Sequence, residues 1–139
     1  MAKKTRSGVA GLSRLTGPPE PNAAIASRIA SRAEMASISG GTVALHDARR
    51  KVRWSVELEP FEIGVYPVTQ EQLAEMLGEA ASHPRRPATG VSWLRAIRFC
   101  NAASEWEGLD PAYTFEGEEV TWHVDADGYR LPTEAEWEY

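Results

Sequence analysis

The chain has 139 residues, 42% hydrophobic and 25% charged, with a formal net charge of −5 and a mean hydropathy of −0.39. This is the composition of one soluble globular domain, and no stretch reaches the roughly 18 uninterrupted apolar residues of a membrane-spanning helix. The single cysteine, Cys100, excludes a disulfide-stapled mini-protein and fits a reducing compartment.

The distribution is uneven. All twelve aromatic residues lie at or beyond Trp54. Residues 1–35 carry six basic residues against Glu20 and Glu34, a net +4, and residues 36–139 carry −9. The leader 1–35 is rich in Ala, Ser and Arg around Gly17-Pro18-Pro19-Glu20-Pro21. Such a composition buries too little apolar surface to offset ordering entropy. It is expected to be disordered, whether as a solvated tail, as a stretch upstream of a true start at Met35, or as an Arg/Ser/Ala targeting peptide. Without an apolar run after Lys3-Lys4 it is no secretory signal. Its diffuse charges, with no aromatic interleaved, give no nucleic-acid surface.

From residue 36 the elements are short and sharply punctuated. Gly40-Gly41 predicts a turn before a strand at Thr42–Leu45. Trp54, Val56 and Leu58 alternate with Arg53, Ser55 and Glu57, the period-two pattern of a half-buried strand that Pro60 ends; Phe61, Ile63 and Val65 alternate again. Thr69 and Gln72 form a capping box for a helix to about Leu77, stopped by Gly78. A proline-punctuated loop follows to Gly90. Ser92 then caps a helix over Trp93–Glu107, closed by Gly108, with Trp93, Ile97, Phe99, Cys100, Ala103 and Trp106 as its apolar stripe. Tyr113–Phe115 and Val120–Trp122 read as a hairpin, and Asp125–Gly128 as a turn. Thr133 with Glu136 makes a second capping box, so the sequence stops inside a helix only about six residues long, below the roughly 12–15 that hold without tertiary support. Arg130, set between Tyr129 and Leu131, is expected to pair with a nearby carboxylate and fix the turn into that helix.

The string Gly128-Tyr-Arg-Leu-Pro-Thr-Glu-Ala-Glu-Trp-Glu-Tyr139 is similar to a motif of the formylglycine-generating enzyme (sulfatase-modifying factor) domain family. So are Gly90-Val91-Ser92-Trp93, Cys100-Asn101, Ser104-Glu105, Tyr113-Thr114 and Val120-Thr121-Trp122 before it. Ile38–Thr42 and Pro60–Thr69 resemble the family's opening segments, in order. The resemblance covers residues 36–139 and implies an α+β, C-type-lectin-like fold, incomplete at its C-terminus. It also implies what complete members do. A cysteine pair binds copper(I) and, with dioxygen, oxidises a sulfatase cysteine to formylglycine; calcium sites accompany it; relatives use iron(II) for sulfoxide synthesis. Those cysteines and calcium segments fall after the motif, so the expectation is a bacterial, cytoplasmic chain that lacks the catalytic half and is inactive alone. Its partner is then the missing C-terminal half, and beyond that a protein or peptide substrate, with no nucleic acid and no membrane. Noncatalytic lectin-like binding, an accessory role, or a remnant of an interrupted gene are the alternatives.

No residue here is assigned as catalytic, cofactor-binding or metal-binding. Cys100 reads as a small core residue. His46, His83 and His123 share no ligand spacing. His123, Asp125, Asp127, Gly128 and Glu134 fit an EF-hand count, but position 1 is histidine and Pro132 interrupts the loop, so the aspartates read as turn residues. Glu134 and Glu136 read as charges at a helix N-terminus rather than an acid–base pair. The five tryptophans read as core and rim packing.

Overall fold

Local capping chemistry sets the helix boundaries in the computed structural model, which describes residues 1–5 and 33–139. Helix α1 (Gln70–Leu77) begins at Thr69, whose hydroxyl accepts from the Gln72 amide while the Gln72 side chain accepts from the Thr69 amide. Helix α2 (Trp93–Glu107) starts at Ser92 and ends at Gly108, which is left-handed (φ 68°), as a helix C-cap requires. Helix α3 (Glu134–Glu138) has the second capping box, between Thr133 and Glu136.

Among the described residues the strands form three small antiparallel units. A three-stranded sheet runs in the order β1 (Ala2–Lys4), β5 (Phe61–Gly64), β2 (Met35–Ile38). β3 (Gly41–Asp47) and β4 (Val52–Leu58) make a seven-pair ribbon that sets Val43 opposite Val56 and Leu45 opposite Trp54. β6 (Tyr113–Glu116) and β7 (Glu119–Trp122) form the expected hairpin. Strand β1 departs from the expected disorder of the leader. Main-chain pairing with an edge already built, and the burial of the small Ala2 side chain, order these residues; regional composition does not register either effect. The expectation for residues 6–32 lies outside the described residues.

The main core gathers Leu73, Ile97, Phe99, Cys100, Ala103, Ala112, Tyr113 and Tyr129 where α2 meets α1, the β6–β7 hairpin and the segment before α3. A smaller core of Val43, Leu45 and Ala135, flanked by Val56 and Leu58, lies between the ribbon and α3. Of the expected core and rim packing, the tryptophans take the rim more than the core. Trp54, Trp93, Trp122 and Trp137 are exposed and Trp106 is half-buried. Trp93 leaves the predicted stripe because it occupies the first helical position, on the rim of the core.

Candidate functional site

The segment Gly128–Tyr139 carries the most specific sequence pattern, and the structure fastens it at Gly128–Leu131, Thr133, Glu136 and Tyr139. The buried Ser104 hydroxyl accepts from the Tyr129 amide at 2.7 Å and donates to the Cys100 carbonyl at 2.8 Å, so both of its hydrogen-bonding roles are filled inside the core. Gly128 passes so close to Ser104 and the Asp110 carbonyl that a Cβ there meets both. The Tyr129 hydroxyl donates to Glu107 at 2.7 Å. Arg130 exchanges two 2.8 Å main-chain hydrogen bonds with Ala2, and the Leu131 amide donates to the Tyr113 hydroxyl at 3.0 Å. Asn101 holds Tyr113 in turn, pairing with both its amide and its carbonyl. Sequence reading placed Ser104 and Asn101 on a helix but gave neither a role, because their partners lie 25 and 12 residues away, respectively.

The expected pairing of Arg130 is present. Its guanidinium grips Glu136 in a two-pronged ion pair, at 2.6 Å from Nη1 and 2.5 Å from Nη2, and both side chains are nearly sealed from solvent. The Thr133 amide donates to the same carboxylate at 2.8 Å. Burial alone raises a carboxyl pKa, but the Arg130 and Thr133 hydrogen bonds outweigh it and hold Glu136 below the ordinary carboxylate value. Arg130 also lies over the Trp122 ring, 5.9 Å from its centroid.

Anchored this way, α3 turns Ala135 into the ribbon and Trp137 out to solvent. The Tyr139 hydroxyl bridges to the Gly40 carbonyl at 2.8 Å, closing one end of the contact. At the other side, Ala44–Arg49, Trp54, Glu134 and Glu138 line a cleft of about 510 Å³. Trp137, Tyr139 and Trp54, at 72%, 52% and 42% exposure, make the surface around α3 strongly aromatic.

The side chains weighed from sequence do not converge on a reaction centre. Cys100 is buried, and burial pushes its thiol up to about 11, which suits a core residue and not a nucleophile. The EF-hand count dissolves in space: Asp127 accepts from the Asp110 amide, Asp125 faces Lys4, and Glu134 borders the ribbon cleft. Asp127 thus ties two loops together through the Asp110 amide. His123 meets the Thr114 hydroxyl. Among the described residues no three His, Cys, Asp or Glu side chains stand together as a metal would need. The donors present do not fit copper(I), which takes soft thiolate ligands. No described helix is long and apolar enough to cross a membrane.

Comparison with known proteins places these features. Residues 21–139 match the sulfatase-modifying factor enzyme 1-like domain, a match that begins upstream of the expected boundary at residue 36. A curated relative, the chaperone protein LppX of Paenibacillus barcinonensis, is 41% identical over 103 residues, covering 61% of this chain and 37% of that protein. Variable protein 1 of Treponema denticola superposes with a TM-score of 0.59 at 26% identity, over 74% of this chain and 50% of that one. The crystal structure of CarF superposes at 0.61 and 26% identity, over 75% of this chain and 54% of that one. The chain therefore spans about a third of the length of the curated relative and about half that of the two solved structures. The chain belongs to the sulfatase-modifying factor enzyme 1-like (formylglycine-generating enzyme) domain family and has its mixed α+β fold.

Proposed function

We propose that this chain is the N-terminal scaffold of a formylglycine-generating-enzyme-type domain, and that it works by presenting the aromatic surface around α3 to a C-terminal half that carries the chemistry. The observation behind this reading is the exposure of Trp137, Tyr139 and Trp54 around an element that is itself locked to the core by a buried ion pair. Large exposed aromatics beside a rigid anchor are of the residue types that a protein interface places at its centre. In this reading the family's oxygen-dependent oxidation, with copper(I) and calcium or with iron(II), belongs to the completed domain, in a cytoplasmic setting that agrees with one unpaired cysteine. In this reading the residues described above carry none of that chemistry themselves.

A second reading, an accessory module that assists a partner without turnover, is favoured by one observation: the curated relative is named a chaperone protein. One experiment separates them. The chain, supplied with copper(I) and dioxygen, is incubated with a cysteine-containing peptide, alone and with the separately produced C-terminal part of a relative. Oxygen uptake and aldehyde trapping are read together. The scaffold reading expects neither signal from the chain alone and both from the pair. Aldehyde formation by the chain alone overturns it, and a pair that associates with no oxygen uptake favours the accessory role.

A further inference from the structure

The three residues of β1 sit in the fold as a bound peptide sits in a receptor. Ala2 is fully buried, with its amide and carbonyl both paired to Arg130 at 2.8 Å. On its other edge the strand pairs with β5, Ala2 opposite Ile63, Lys3 opposite Glu62 and Lys4 opposite Phe61, and the Met1 carbonyl accepts from Gly64 at 2.9 Å. The side chains are read individually. Lys3 Nζ lies 3.5 Å from Glu62, 3.7 Å from Glu107 and 5.1 Å from the centroid of the Tyr129 ring, and Glu107 is already held by the Tyr129 hydroxyl. Lys4 Nζ reaches Asp125 at 3.2 Å. A fully buried position filled by the Ala2 methyl, an acidic and aromatic cage for the first lysine and a carboxylate for the second make a recognition pattern. Main-chain hydrogen bonds on both edges supply affinity, as in binding by strand addition, and the cation over an aromatic face adds to the charge pairing.

We propose that the slot between β5 and Arg130 is an acceptor for an extended small–lysine–lysine strand, filled here by the chain's own Ala2–Lys4 and exchangeable with the same strand of a second copy. The sequence separation permits the exchange. Twenty-eight residues separate Lys4 from Ala33, and at about 3.3 Å per residue they span up to roughly 90 Å, well beyond the width of one such domain. Tethering favours the strand of the same chain through its high effective concentration. Reciprocal exchange between two copies recreates every contact twice and closes a two-fold dimer.

The decisive test uses two charge-reversed full-length chains. In Lys3→Glu the strand no longer suits its own slot, and in Glu62→Lys/Glu107→Lys the slot no longer suits its own strand. Each is expected to be monomeric alone. Mixed, the acidic strand of the first meets the basic slot of the second while the reverse pairing restores the original contacts, so a heterodimer appears in sedimentation. A labelled Met-Ala-Lys-Lys-Thr peptide binds the Lys3→Glu chain saturably, and replacing both its lysines by glutamate weakens binding by about tenfold or more. In case a reversed chain does not fold, two dye-labelled batches of the unaltered chain are concentrated together, and energy transfer between them is expected to be abolished by the lysine peptide alone. A monomeric mixture of folded variants, or energy transfer indifferent to that peptide, overturns the proposal.

Discussion

Arg130 is the residue through which three parts of the molecule meet: its backbone holds β1, its guanidinium holds α3, and the same guanidinium lies over the Trp122 ring. Removing one partner of a buried ion pair leaves the other charge uncompensated, which costs about 3–5 kcal/mol. Arg130→Ala is therefore expected to lower the urea midpoint strongly, and Glu136→Gln less, since an amide still accepts from Arg130 and Thr133. The pH dependence has a definite sign. Glu136 binds its proton less readily folded than unfolded, so its contribution is complete above the ordinary value of 4.5 and is lost as pH falls below it. The melting temperature of the native chain should drop more steeply between about pH 5 and 3 than that of Glu136→Gln; parallel curves would show that the carboxylate is not the group responsible. The sequence pointed to this pairing but not to its partner. Position N3 of a capping box faces back over the helix start, which selects Glu136, while Glu134 faces the ribbon cleft.

At the scale of elements, the helices were legible and β1 was not. A capping box is a contract between residues three apart, and Thr69 with Gln72 and Thr133 with Glu136 gave the observed helix starts directly, as Ser92 and Gly108 gave the two ends of α2. The ribbon and the hairpin followed from alternation. β1 depends on acceptors at residues 61–64 and 130, and its own composition argues the other way. The positions of the tryptophans were equally hidden, because a hydrophobic stripe does not say what covers it. The short helix α3 tests how far local chemistry carries an element. With five residues it has almost no propagation energy of its own, so Thr133→Ala, which removes the hydroxyl accepting from the Glu136 amide, is expected to cost about 1 kcal/mol in urea unfolding. Thr133→Ser should recover most of it. An unchanged midpoint in Thr133→Ala would mean that the Arg130 ion pair alone fixes the helix.

At the scale of the whole molecule, stability is unevenly distributed. The main core is closed by two helices, a hairpin and a sheet edge, whereas the ribbon rests on one face of a five-residue helix through Ala135 and is pinned at its end by Tyr139. Elements with few buried apolar contacts open first. Amide protons in β3 and β4 are therefore expected to exchange well before those in the centre of α2, around Ile97–Ala103, when hydrogen exchange is followed by mass spectrometry. The proposed C-terminal half would bind over the same α3 surface and bury Trp137 and Trp54, so its addition should slow exchange in the ribbon and leave α2 unchanged. Slowing spread evenly over both regions would point to global stabilisation. Protection confined to β3, β4 and α3 would locate the contact on the surface that the ion pair of Arg130 and Glu136 holds in place.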